Sequence, residues 1–336
     1  MIPVTYFRSS SFNQDSFCSQ SFYLRYILGF PDPSNRAADK GNIAHKILEL
    51  LASKKLAIQL GEASFFNDEL NMSFDTEAFS LDDAIQWGWD CYTKIKPTIH
   101  HWNETDLDFC KDSVYKAMNG WGGFFNPLNR DVIFPEKYFD FVIDEPWAEY
   151  EYDGVAGKLS LKGTVDLVCK FEGSDATVEM VDWKTGKRKD WASGKIKEWK
   201  DLRDDPQLRI YHYALCQLLP DVEHIIVTIV FMNDGGPYSL DFSREDLVET
   251  KRILRQRFEK IRDTTRPKLI WPDWKCKRLC NHFKNKREGT EQSMCAFIKQ
   301  EIITLGIENV TKKHAVAGAS SNYGDGGGRS DKEKKQ

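Results

Sequence analysis

The chain of 336 residues has no run of about 18 or more apolar residues, so no membrane-spanning helix is expected. It also lacks an excess of positive charge: 47 Lys and Arg stand against 51 Asp and Glu, a net charge of −4. That balance excludes a surface that is basic throughout, so binding to a polyanion would need a local basic patch. No internal repeat is present. A phosphate-binding loop is missing too, because no glycine stands five residues before Gly157 and Leu159 occupies the place of Ser or Thr. The opening Met1-Ile-Pro-Val-Thr-Tyr6 lacks the basic-then-apolar layout of a signal peptide, which leads us to expect a soluble, cytoplasmic protein. In a reducing compartment its eight cysteines would be buried side chains or metal ligands rather than disulfides.

What is present supports a sizeable core: 41% hydrophobic and 13% aromatic residues, kept soluble by 29% charge. The reading is one α/β domain over residues 1–310, with a helical insertion at about 54–126 and a cysteine-bearing closure at 271–300. From 311 to 336 the composition collapses to Gly, Ser, Asp and Lys, as in a disordered tail.

Two runs rich in β-branched and apolar residues, Gly163–Phe171 and Thr177–Gly186, flank a short polar break and read as an antiparallel hairpin. Period two puts Val178, Met180, Asp182 and Lys184 on one face of the second strand. A carboxylate and an ammonium on a core-facing side need partners, because an unpartnered buried charge costs several kcal/mol. Asp166, the only acid in the first strand, can come beside Asp182 across the pair. Two carboxylates forced together repel unless a cation neutralises them, and hard oxygen ligands favour Mg²⁺ or Mn²⁺ over zinc.

Other segments frame this hairpin. Residues 10–30 begin with Ser and Asn, carry Cys18 and close at Gly29, as one helix would. A second helix runs from Asp39, with Ile43, Ile47, Leu48 and Leu51 as its apolar stripe and His45 one turn after Gly41. By itself His45 reads as a packed or surface side chain. Asp205-Pro206 starts a further helix in which Gln207 and Tyr211 share a face. Residues 132–144 are strand-like and include Glu136, either an edge residue or a further acid near the hairpin. His224–Met232 reads as a central strand and Arg244–Arg262 as an amphipathic helix.

Gly163-x-x-Asp166 followed by Asp182-Trp-Lys184, with Gly41-x-x-x-His45 before and Gln207-x-x-x-Tyr211 after, resembles the RecB-like branch of the PD-(D/E)XK nuclease superfamily. The resemblance implies a restriction-endonuclease-like core, a mixed central sheet flanked by helices. It implies a metal-dependent deoxyribonuclease, more an exonuclease than an endonuclease, acting in DNA processing, recombination or repair. A DNA-end-binding protein on the same fold, without catalysis, and a structure-specific endonuclease are the alternatives. Asp166, Asp182, His45 and the backbone carbonyl of Trp183 would hold Mg²⁺ or Mn²⁺. Lys184, Gln207 and Tyr211 would complete the catalytic set. DNA with single-stranded ends is the implied substrate, and recombination or replication proteins are the implied partners.

Cys18, Cys276, Cys280 and Cys295 resemble the split four-cysteine iron–sulfur arrangement of RecB-like nucleases of the CRISPR-associated and exonuclease V types. The gaps of three and fourteen residues among the last three are wider than usual there. Zinc on the same thiolates and plain core packing are the alternatives. Cys91, Cys110, Cys169 and Cys216 are assigned to the core. Lys187, Arg188, Lys189 and Trp191 form either a phosphate-contacting strip or a solvated loop. Trp87, Trp89, Trp102 and Trp121 either pack in the insertion or stack unpaired bases.

Overall fold

The computed structural model describes residues 2–96, 100–152, 154–189, 193–268 and 274–315. The chain runs β1 (Tyr6–Arg8), α1 (Ser9–Phe17), α2 (Ser19–Phe22), α3 (Arg36–Leu60), β2 (Ser64–Asn67), β3 (Met72–Asp75), α4 (Leu81–Asp90) and α5 (Glu104–Asn119). It continues through β4 (Val132–Val142), β5 (Glu149–Tyr152), β6 (Val155–Lys158), β7 (Ser160–Phe171), β8 (Ser174–Lys184), α6 (Trp199–Arg203) and α7 (Pro206–Leu218). The last elements are β9 (His224–Phe231), β10 (Gly236–Ser243), α8 (Leu247–Arg262), α9 (Trp274–Leu279), α10 (Asn281–Lys284), α11 (Met294–Leu305) and α12 (Ile307–His314).

The main sheet is mixed, in the order β1-β7-β8-β9-β10 with β4 also on β7. β7 and β8 are antiparallel, pairing Leu167 with Val181 and Val168 with Met180, while β8 and β9 are parallel. β4 takes one edge of β7 from Ser160 to Cys169, so β1 and β8 must share the other. β1 pairs with residues 160–162 and β8 with 167–171. Among the described residues, no strand pairs with Gly163–Asp166 on that second edge. The sheet is therefore split beside Asp166.

Each face of the sheet buries its own core. On one, Val165, Val168, Val178 and Met180 pack with Leu208, Ile210 and Tyr211 of α7 and Phe258 of α8. On the other, Leu167, Val181 and Trp183 pack with Ile43, Ile47 and Leu51 of α3 and Val114 of α5. Residues 165 and 167 would face the same way in a regular strand, yet they enter opposite cores. The alternation slips beside Asp166, across from Glu136, whose φ of +44° lies in the left-handed region. A non-glycine residue held there costs about 1–3 kcal/mol, and such strain collects at functional sites.

Three expectations need correction. Residues 10–30 are not one helix: Cys18 is extended (φ −164°, ψ 109°) and breaks the segment between α1 and α2. The insertion at 54–126 is not wholly helical. Its first residues still belong to α3, and it contains the hairpin β2–β3, in which buried Phe65 and Phe74 stand opposite each other. The domain does not stop at 310, since α12 reaches His314 and buried Thr311 shares a hydrogen bond with the Tyr23 hydroxyl at 2.8 Å. Tail residues 316–336 lie outside the described residues. The closure at 271–300 contains α9, α10 and part of α11, and residues 271–273 lie outside the described set.

Candidate active site

Asp182 is 1% exposed at the C-terminal end of β8 and is gripped from two directions. Lys184 Nζ donates to its Oδ1 at 2.8 Å and lies 2.6 Å from its Oδ2. The Tyr211 hydroxyl of α7 donates to the same Oδ1 at 3.2 Å. Behind Tyr211, Gln207 Nε2 donates to the phenol oxygen at 3.0 Å, and Asn13 Nδ2 of α1 donates to Gln207 Oε1 at 3.0 Å. Asp182 Oδ2 itself receives no properly directed hydrogen bond, although its atom is buried.

Asp166 sits at the split in the sheet. Its Oδ2 accepts the Trp183 backbone N–H at 3.0 Å, taking the place of the missing ladder partner. The His45 ring of α3 comes within 3.4 Å of that oxygen through Nδ1. Two glycines allow these approaches. A Cβ on Gly163 would lie 2.7 Å from Cζ of Phe139, so the β4 ring can rest on the strand that leads to Asp166 only if residue 163 has no side chain. A Cβ on Gly41 would lie 3.0 Å from Thr185 Oγ1, so the bare backbone lets α3 close over the end of β8 and bring His45 in.

The charges are balanced locally. Burial pushes Asp166 up, but the His45 ring, Lys184 and the Trp183 N–H together outweigh it and hold the carboxyl below its usual range. Asp182 goes the other way: burial raises it more than Lys184 lowers it, and the Asp166 charge adds to the rise. For Lys184, the neighbouring Asp182 and Asp166 overcome burial and raise the ammonium, so it is a cation at neutral pH. His45 is likewise raised, since Asp166 outweighs the burial that disfavours its charge. Burial and the two aspartates push the Tyr211 phenol well up, leaving it a neutral donor.

Next to His45 on α3 begins a second charged group, of which the sequence pointed only to Glu136. Lys46, 4% exposed, pairs with Glu49 and with Glu69 at 2.5 Å, and Glu136 is 3.9 Å away. Burial and then Glu49 raise Glu136 well above the usual carboxyl range, while Glu49 is lowered against its own burial by Glu136 and Lys46. Glu136 turns to Glu49, its side-chain hydrogen-bond partner, rather than to Asp166 or Asp182. The His45-Lys-Ile-Leu-Glu49 spacing was the signal for Glu49, since i and i+4 share a helix face. Asn13 carried no such signal, being one polar residue in a Ser-rich stretch. His100, left unassigned from the sequence, has Nε2 2.8 Å from Asp39 at the start of α3.

Of the basic strip, Lys187 and Lys189 are exposed, whereas Arg188 is half-buried. The Arg188 guanidinium donates to the Lys197 carbonyl at 2.7 Å and stacks over Tyr238 at 4.3 Å, so it is engaged within the protein. Trp191 lies outside the described residues. Trp87, Trp89 and Trp102 pack against the second core; Trp121 is 40% exposed. Cys91, Cys110, Cys169 and Cys216 are buried, as expected of core cysteines.

Cys18 packs against Cys276, and Cys280 and Cys295 are near enough that neighbouring thiols raise them further after burial. Cys295 is pushed up to about 12. As arranged, no three His, Cys, Asp or Glu side chains among the described residues form a metal-holding group, at these thiols or elsewhere. The nuclease-like site supplies two carboxylates, with His45 turned to Asp166. These donors still suit a hard divalent cation: both carboxylates are inward-facing, and a buried Asp182 oxygen lacks a directed hydrogen bond.

A mixed sheet covered by helices on both faces, with two acids and a lysine converging at one strand end, is consistent with a restriction-endonuclease-like fold. The family model of the PD-(D/E)XK nuclease superfamily matches residues 9–283, and the chain belongs to that superfamily. Its members are usually metal-dependent nucleases. Among curated proteins, no sequence matches the chain.

Proposed function

We propose that this chain is a Mg²⁺- or Mn²⁺-dependent deoxyribonuclease of the RecB-like branch, acting as an exonuclease on DNA with single-stranded ends. One observation carries the reading: Asp182, Lys184 and Tyr211 meet at a buried strand end beside Asp166, with an Asp182 oxygen left without a directed hydrogen bond. Asp166, Asp182 and the Trp183 carbonyl would hold the cation, with His45 as a further ligand. Such a cation, when bound, acidifies a water and offsets charge on the phosphoryl oxygens.

The protein's own groups do the rest. Lys184, held charged by the two aspartates, stabilises negative charge at the scissile phosphate and does not act as a base. Tyr211 donates to Asp182 and fixes the carboxylate orientation, and Gln207 fixes Tyr211. His45 Nδ1 faces Asp166 Oδ2 at 3.4 Å and orients that carboxylate. Lys187 and Lys189, exposed just past Lys184, would meet backbone phosphates.

Linear single-stranded DNA with Mg²⁺ or Mn²⁺ tests the reading. Cleavage that EDTA stops, with circular single strands left intact, is the expected result. Cut circles would make the enzyme an endonuclease. Binding to ends without cleavage in either ion would leave a DNA-end-binding protein.

We also propose that Cys18, Cys276, Cys280 and Cys295 hold an iron–sulfur cluster that takes no part in hydrolysis. The packing of Cys18 against Cys276, from opposite ends of the chain, supports this. Anaerobically purified protein should absorb near 400 nm and contain iron; zinc, or neither metal, overturns the assignment.

A further inference from the structure

On the sheet face that carries Trp183 lies an open pocket of about 590 Å³, lined by residues that include Tyr115, Lys116, Trp121 and Met232. Its floor is joined to the end of β8 through the backbone, on the face opposite the Asp182 and Lys184 side chains. The Met232 backbone N–H donates to the Lys184 carbonyl at 3.0 Å. Asn233 ties the neighbouring walls together: its Nδ2 donates to Ser113 Oγ of α5 at 2.9 Å and to the Thr185 carbonyl at 3.4 Å. Lys116 Nζ donates to Asn233 Oδ1 at 2.9 Å, which places a cation at the rim.

Trp121 is unusual in this setting. It is not glycine, yet its backbone is left-handed (φ 52°, ψ 39°), and it is 40% exposed. Core packing does not explain an indole kept outward at a backbone cost of about 1–3 kcal/mol. Its ring meets Phe125 edge-on at 5.7 Å. Tyr115, also 40% exposed, lines the same pocket. By contrast, exposed Phe124 has Arg130 over its ring at 4.2 Å. Two exposed aromatic rings match the chemistry of an unpaired, planar base, with the Lys116 ammonium beside them for a phosphate and the Asp112 carboxylate as the one acid in the lining.

We propose that the Trp121–Tyr115 pocket is a nucleobase-stacking subsite that holds an unpaired base of single-stranded DNA away from the reacting phosphate, on the other face of the sheet. This rests on the nuclease reading and gives the substrate class a structural basis: a duplex cannot present such a base without unstacking. It also makes binding depend on bases as well as on phosphates.

The test uses the full chain in EDTA, with anisotropy of labelled dT20 and of a tetrahydrofuran abasic oligomer of equal length. The wild-type protein should prefer dT20. Trp121→Ala should weaken dT20 binding about tenfold and erase that preference, and Trp121→Phe should restore most of it. Tyr115→Ala, on the surface of α5, should reduce the same preference and guards against misfolding of the loop variant. Undiminished dT20 preference in both alanine variants overturns the subsite; if the wild type still cleaves DNA, the nuclease reading stands without it. A wild type that neither binds nor cleaves DNA overturns both.

Discussion

The Tyr211 hydroxyl and the Lys184 ammonium share a single acceptor, Oδ1 of Asp182, at 3.2 and 2.8 Å. One donor comes from α7 and the other from the strand that carries the acid. Asp182 is thus positioned by two elements that meet only in the folded chain, and substitution of each component has a separable outcome.

Asp182→Ala and Lys184→Ala should each abolish detectable cleavage while leaving DNA binding. Loss of a preorganised electrostatic group costs about 3–4 kcal/mol of barrier, roughly a hundred- to a thousandfold in rate. Single-turnover cleavage together with anisotropy on the same oligonucleotide measures both. Wild-type cleavage by either variant would remove these residues from the catalytic set.

Tyr211→Phe should lower kcat by about tenfold, an effect consistent with one hydrogen bond to a charged group at about 1.5–3 kcal/mol. Asn13→Ala acts through Gln207, so its loss should be smaller and should largely vanish in a Gln207→Ala background. A double-mutant cycle on kcat checks this. Additive losses would show that Asn13 and Gln207 act independently.

Gly163→Ala should destabilise the fold by about 1–3 kcal/mol, because the new Cβ would lie 2.7 Å from a carbon of the buried Phe139 ring. Phe139→Leu in the same chain should recover part of the loss by clearing space. Urea unfolding of the single and double variants gives the comparison, and an unchanged midpoint in the single variant would contradict the packing.

His212 makes the fold sensitive to acid. Fully buried, it donates from Nε2 to the Ser243 carbonyl at 3.0 Å and accepts at Nδ1 from Thr250 at 2.8 Å. Burial lowers its pKa from 6.5 to about 4. Between those values the unfolded chain binds a proton that the folded chain does not. Stability from this group is therefore complete above pH 6.5 and falls as the pH drops toward 4, by about 3 kcal/mol in all. His212→Gln should flatten that part of the stability–pH curve, measured by urea unfolding at several pH values.

Local pattern made much of this legible. The strands β7 and β8 carry their own alternation, and Asp205-Pro206 is a helix start in which the Asp205 side chain accepts the Gln207 N–H at 2.9 Å. The hairpin β2–β3 was missed because its strands have four residues each and lie among helical segments. Asn71, left-handed at φ 53°, marks its turn, but an isolated Asn does not announce that conformation. The break at Cys18 was hidden for a related reason: the residues on both sides favour helix, and the contact of Cys18 with Cys276 is long-range. α12 was lost to a composition that turns polar just beyond it, although its burial depends on Val310 and Thr311 reaching a distant core.

The sequence by itself determined the alternation of β8, the start of α7 at Asp205-Pro206, and the shared strand face of Asp182 and Lys184, because these depend on neighbours along the chain. Only tertiary structure decided that the sheet splits beside Asp166, that Tyr211 points to Asp182, and that Glu136 turns to Glu49. Those outcomes depend on how β1, β4 and β8 divide the edges of β7 and on how closely α3 can approach. Such distances are set by packing between residues far apart in the chain, which no local pattern encodes.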